Sequence, residues 1–87
     1  MNTEAILDEL LAVLERTGVQ VRTEALGGGA GGLCKIKGKY IFFVDSESSA
    51  ADSAAACAEA VAKIVDVDEI YLTPQVREFV EKYGCKP

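Results

Sequence analysis

The residues that come closest to a chemical motif are the glycines of "GGGAGG" and the lysines that follow them. Glycine backbones can present several N–H groups to an anion as a concave nest, and neighbouring ammonium groups add positive charge. One interpretation is therefore a site for a small anionic ligand. The other is a flexible connection between strands, whose lysines protect a solvent face or a sheet edge. The candidate ligand-binding residues are Gly27, Gly28, Gly29, Gly31, Gly32, Lys35 and Lys37.

The same segment contains the letters of a dinucleotide-binding motif, G-x-G-x-x-G, at Gly27, Gly29 and Gly32. In that motif the glycines leave a strand and open a helix, whose N-terminus holds the pyrophosphate. Here a strand pattern follows instead of a helix. The Walker pattern needs Lys and then Ser or Thr after its last glycine, and this chain has Leu33 and Cys34 there. Both nucleotide interpretations fail.

Catalytic and metal-binding patterns are missing from the sequence. The chain has no histidine, which excludes Ser-His-Asp and Cys-His arrangements. Cys34, Cys57 and Cys85 lie too far apart for a zinc-ligand spacing or a disulfide framework. The acidic run 66–69 lacks the twelve-position calcium pattern. We therefore expect no catalytic residues, no metal and no cofactor, and a protein that is not an enzyme.

The cysteines still have predicted environments. We expect Cys34 and Cys57 to be buried as small hydrophobic residues, and Cys85 to be exposed near the C-terminus. A thiol enzyme that uses Cys34 is a lesser alternative, because the neighbouring Lys35 would favour a thiolate. Cys34 faces away from the lysines in the predicted strand, which favours a place in the core.

The elements that must position these residues follow from apolar periodicity. Alternating apolar and polar residues predict strands on both sides of the glycine segment. Helical spacing of apolar residues predicts helices toward both ends of the chain. The residues at 70–72 fit either a short strand or an extended connector. In chain order we predict a helix over 3–17, strands over 19–25, 33–37 and 40–44, a helix over 50–65, and a helix from Pro74 closed by Gly84.

This order predicts a single α+β domain over residues 1–87. Its sheet is small, three-stranded and mainly antiparallel, with one N-terminal helix and two C-terminal helices. A type II′ turn at Gly38-Lys39 would join the last two strands. The last strand, "YIFFV", is apolar on both faces, as is typical of a central strand covered twice.

Charge and hydropathy exclude further classes of function. The net charge of −5 speaks against nucleic-acid binding, which needs a positive face for phosphates. No apolar run is long enough to span a membrane, and the first residues do not fit a signal peptide. We therefore expect neither nucleic acid nor membrane as a partner, and a cytoplasmic location.

The segment "LGGGAGGLCKIKGKYIFFVD", with the later "IYLTPQVREFVEKYG", resembles a group of small bacterial proteins of unknown function. The shared features are the Gly-Gly-Leu-Cys stretch, the Gly-Lys turn and the closing "VD". The resemblance spans roughly residues 4–83 and implies no known activity. The chain also resembles, remotely, the core of ImmA/IrrE-like metallopeptidases. There Glu59 matches the glutamate of HExxH, but Ala58 and Ala62 replace both metal-binding histidines, so peptidase activity does not follow.

With chemistry largely excluded, the sequence favours a non-enzymatic interaction module, acting by self-association or through a protein partner. The alternative is the small-anion site at Gly27–Gly32. The interaction hypothesis depends on the number of aromatic residues for so small a core, and on a strand edge that stays open. Those aromatic residues are Tyr40, Phe42, Phe43, Tyr71, Phe79 and Tyr83.

Overall fold

The computed structural model describes residues 2–27, 32–65 and 70–84 of the chain. Within these ranges its elements are α1 (Thr3–Arg16), β1 (Gln20–Glu24), β2 (Gly32–Ile36), β3 (Lys39–Asp45), α2 (Ala50–Ile64) and α3 (Pro74–Tyr83). The predicted α+β class, with its N-terminal helix, small sheet and two C-terminal helices, is confirmed. The segment 70–72 is a connector and belongs to no strand.

Side-chain caps explain where the first two helices begin. α1 follows Asn2, whose side-chain oxygen accepts a hydrogen bond from the N–H of Ala5 at 2.8 Å. Thr3 is the first helical residue. α2 follows Ser49, whose hydroxyl oxygen accepts the N–H of Asp52 at 3.1 Å. The neighbouring Ser48 does not cap α2; its hydroxyl donates to the carboxylate of Asp45.

The sheet is mixed, and the order of its strands in the described residues is β1-β3-β2. β3 pairs parallel with β1 and antiparallel with β2. The sequence predicts a mainly antiparallel sheet, whereas one of these two pairings is parallel. The difference arises because β3, with its apolar run, occupies the centre that chain order would give to β2. β1 and β3 then run in the same direction, side by side.

The connection from β1 to β2 must therefore cross the end of β3. Asp45, at that end, is 1% exposed and holds the crossing in place. Its Oδ1 accepts the N–H of Leu26 at 3.0 Å and the N–H of Glu47 at 2.8 Å. Its Oδ2 accepts the hydroxyl of Ser48 at 3.2 Å. One carboxylate thus links the start of the glycine segment to the loop that precedes α2.

The turn between β2 and β3 lies one residue earlier than the sequence predicts. Lys37 and Gly38 are the two turn residues, and Ile36 pairs with Lys39. Both turn residues have positive φ, +53° at Lys37 and +80° at Gly38. Positive φ at both central positions is the type I′ pattern, whose twist matches that of the flanking strands. The predicted type II′ turn at Gly38-Lys39 is wrong.

α1 and α2 cover one face of the sheet, and α3 packs on these two helices. Phe42 and Val44 of β3 point into a core formed with all three described helices, and Val21 and Leu33 pack against it from the neighbouring strands. Alanines in α2 let this helix approach the sheet closely. The fully buried residues of the core are Leu10, Leu14, Phe42, Ala54, Cys57, Ala58, Val61, Val76 and Val80.

Candidate functional site

The opposite face of the sheet carries no helix in the part of the chain that the structure describes. Side chains alternate along a strand, so the register assigns to this face the residues that flank Phe42 and Leu33. We call it the open face. Its exposed and half-buried residues are Gln20, Arg22 and Glu24 of β1, Gly32, Cys34 and Ile36 of β2, and Lys39, Ile41 and Phe43 of β3.

An apolar patch occupies the centre of the open face. Ile41 and Phe43 are half-buried, and neither belongs to the hydrophobic core or packs against it. Beside them on β2, Cys34 is exposed and Ile36 is 48% exposed. The prediction that "YIFFV" is central is confirmed, but the prediction that it is covered on both faces is wrong. Cys34 likewise lies on the open face and not in the core.

The charges of the open face differ from those of the whole chain. Arg22 and Glu24 form an ion pair at 3.2 Å on β1, and Lys39 lies beside Ile36 at the hairpin end. Arg22 and Glu24 are each about half exposed, so the pair contributes little to stability. Cations therefore border the apolar patch at two corners, although the chain as a whole has a net charge of −5.

A small cavity of about 140 Å³ lies between the edge strand β2 and α2. Gly32 and Leu33 line it on the strand side. On the helix side the ion pair between Glu59 and Lys63, at 3.4 Å, borders it together with the small side chains of α2. The helix residues of the lining are Ala56, Glu59, Ala60 and Lys63.

The structure separates the predicted anion-binding residues that it describes. Gly27 has φ +78° before the crossing, and Gly32 begins β2. Lys35 lies farther along β2, with its Nζ 5.4 Å from the ring centre of Tyr40. Lys37 is in the hairpin turn, so it does not share a strand face with Lys35 as predicted. At about 3.3 Å per strand residue, Lys37 lies roughly 16 Å from Gly32.

Several predictions fall outside the described residues. These concern Gly28, Gly29 and Gly31 of the anion site, the acidic run 66–69, and the exposure of Cys85. Binding of a small anion therefore stays a prediction. The charged residues that line the same cavity as Gly32 are Glu59 and Lys63.

The two described cysteines occupy contrasting environments. Cys57 is fully buried in the core, as predicted, and this burial raises the pKa of its thiol from 9.0 to about 12. It is therefore a protonated core residue at neutral pH. Cys34 is exposed on the open face. No group of three or more metal-ligating side chains occurs in ranges 2–27, 32–65 and 70–84. None of the described helices is long and apolar enough to cross a membrane.

Comparison with protein-family models, with curated proteins and with solved structures found no match to this chain. The resemblance to small bacterial proteins and the remote resemblance to ImmA/IrrE-like cores therefore stay predictions.

The open face was not predicted, because the apolar run of β3 was expected to be covered on both faces. The available signal was the apolar pair Ile41 and Phe43 on the opposite side of β3 from Phe42. In the described residues the helices pack on the side of Phe42. The second apolar face of β3 therefore has no described helix to cover it, although the sequence predicted a cover on both faces.

Proposed function

We propose that this protein is a non-enzymatic interaction module that works by self-association. The observation that carries the proposal is the open face, where Ile36, Cys34, Ile41 and Phe43 meet solvent beside an unpaired strand edge. Covering apolar surface of this kind is favourable by roughly 25 cal/mol per Å². A chain of this size buries a small core, so association with a second copy adds the burial that it lacks.

The alternative, binding of a small anionic ligand at Gly27–Gly32, has weaker support. The site was predicted with Lys35 and Lys37 as its charges, and both lie toward the hairpin end of β2. Self-association is therefore the function that the described residues favour.

The test is sedimentation velocity over a concentration series from about 1 to about 500 µM. We expect a monomer–dimer equilibrium, and an Ile36→Ser variant that dimerises about tenfold more weakly, because each dimer loses apolar contact twice. Tyr71→Ser is the matched control, since Tyr71 is 80% exposed and lies beside α1.

The control is expected to keep the wild-type equilibrium, and circular dichroism checks that both variants fold. A wild-type protein that stays strictly monomeric over the whole series would overturn the proposal. An Ile36→Ser variant that dimerises as well as the wild type would show that the open face and the β2 edge do not form the dimer interface.

A further inference from the structure

We infer that two copies of this chain pair through their β2 strands, antiparallel and centred on Cys34, to form one continuous sheet. This deepens the proposed function, on which it rests, by naming the surface through which self-association occurs. In the part of the chain that the structure describes, β2 stands at an edge of the sheet. The unpaired N–H and C=O groups of an edge strand are a template for another strand.

The hairpin determines which backbone groups of β2 point outward. In a two-residue hairpin the flanking residues, here Ile36 and Lys39, exchange both of their hydrogen bonds. Hydrogen-bonded and non-hydrogen-bonded residue pairs alternate along the strands from there. The backbone N–H and C=O groups of Cys34 are therefore also hydrogen-bonded to β3. The N–H and C=O groups of Leu33 and Lys35 therefore point away from β3, toward the open edge.

In an antiparallel pair of β2 strands, three symmetric registers place outward-pointing backbone groups of one copy opposite those of the other. The sequence of β2 favours one of these registers. A pairing centred on Lys35 places two ammonium groups directly opposite, which is destabilising. A pairing centred on Leu33 extends beyond the end of β2. The pairing centred on Cys34 uses the whole strand, with Leu33 opposite Lys35 and Gly32 opposite Ile36.

This register is also complementary in shape on the open face. Ile36, at 48% exposure, is among the most exposed large apolar side chains of the described residues. Across the interface it would lie beside Gly32 of the second copy, which has no side chain to obstruct it. The two open faces would then join into one surface, with Cys34 next to its symmetry mate at the centre.

On the helix side the same register is complementary in charge. Lys35 of the second copy would lie next to Leu33, which lines the cavity between β2 and α2. Glu59 borders that cavity and is 49% exposed. Its carboxylate already pairs with Lys63 at 3.4 Å, and a carboxylate has lone pairs for a second cation. Because the dimer is two-fold symmetric, the contact between Lys35 of one copy and Glu59 of the other would occur twice.

The first test is disulfide trapping with diamide on a Cys85→Ser background. In the inferred register Cys34 and its symmetry mate are a non-hydrogen-bonded residue pair. Their Cα atoms would lie about 4.5 Å apart, which is within the range of a disulfide. The two thiols lose two protons and two electrons, which reduce the azo bond of diamide to a hydrazine, and an S–S bond forms. Cys57 is buried and serves as an internal unreactive thiol.

The matched control carries Tyr71→Cys with Cys34→Ser and Cys85→Ser, which places one exposed thiol away from β2. We expect the Cys34 protein to cross-link at least about tenfold faster than this control, because its thiols are held together. Equal rates in a protein that does dimerise would overturn the inferred register.

The second test is a charge exchange between Lys35 and Glu59, measured by sedimentation. We expect Lys35→Glu and Glu59→Lys each to weaken dimerisation about fivefold or more, and the double variant to recover to within about twofold of the wild type. Thermal melts at low concentration check that each variant folds.

The outcomes separate this inference from the function on which it rests. Dimerisation without fast Cys34 trapping, or without recovery in the double variant, overturns the β2 pairing and leaves self-association intact. A strict monomer overturns both. Fast trapping together with recovery in the double variant supports both.

Discussion

At the scale of single residues, Asp45 is the buried charge that joins three segments of the chain. Its carboxylate accepts hydrogen bonds from Leu26, Glu47 and Ser48 while it is only 1% exposed. Hydrogen bonds to a charged group are stronger than neutral ones, and donors left without an acceptor in the interior carry a desolvation cost. We therefore expect Asp45→Ala to lower the free energy of unfolding by about 3 kcal/mol, measured by urea denaturation.

Asp45→Asn is the matched variant. Its amide oxygen can still accept from the N–H groups of Leu26 and Glu47, and its NH₂ can donate to the hydroxyl of Ser48. We expect a loss of about 1 kcal/mol, because the geometry stays and only the charge is lost. If the Asn and Ala variants lose equal stability, the carboxylate acts through its charge, and the hydrogen bonds that it accepts from Leu26, Glu47 and Ser48 do not explain its burial.

At the scale of elements, α1 fixes the start of α3 through one glutamate. The N–H of Thr73 donates to Glu9 Oε2 at 3.2 Å, and the Thr73 hydroxyl donates to the same oxygen at 3.1 Å. Thr73 precedes α3 as its N-cap residue, without a side-chain cap hydrogen bond of its own. Glu9 also places negative charge near the positive end of the α3 dipole.

Glu9→Ala is expected to lower the free energy of unfolding by about 1.5 kcal/mol, because Thr73 loses its carboxylate acceptor and α3 loses the charge at its start. Asp8→Ala is the control, since Asp8 is exposed on the same helix one residue earlier. Chemical denaturation of both variants makes the comparison. An equal effect of the two substitutions would assign the loss to helix α1 and not to the contact between α1 and α3.

At the scale of the whole molecule, the described helices lie on one side of a small sheet, and no described helix covers the other face. If a second copy pairs with β2, unfolding is coupled to dissociation, and the midpoint of thermal unfolding depends on protein concentration. For a domain of this size we expect a rise of roughly 3–8 °C over a hundredfold increase in concentration.

Scanning calorimetry of the wild type and of Ile36→Ser makes this measurement. The variant is expected to show a smaller shift, because a weaker dimer adds less to the stability of each protomer. A wild-type midpoint that does not move with concentration would contradict the coupling of folding to self-association.

The sequence by itself determined the elements of this protein and their approximate bounds, because these depend on local signals. Apolar spacing gave the helices and strands, Ser49 and Pro74 marked helix starts, and the order of elements gave the α+β class. Burial of Cys57 followed from its place on the apolar stripe of α2. The absence of histidine also fixed which catalytic arrangements the chain cannot form.

Only the tertiary structure decided how the strands pair and which of their faces are covered. The parallel pairing of β1 with β3, the exposure of Cys34 and the separation of Lys35 from Lys37 all follow from non-local contacts. Moving the two-residue turn by one position changes the strand pairing by two residues and leaves each side chain on the same face. The type I′ turn removed the predicted lysine pair because it places Lys37 outside β2. The described helices all lie on the side of Phe42, which leaves the open face without a helix.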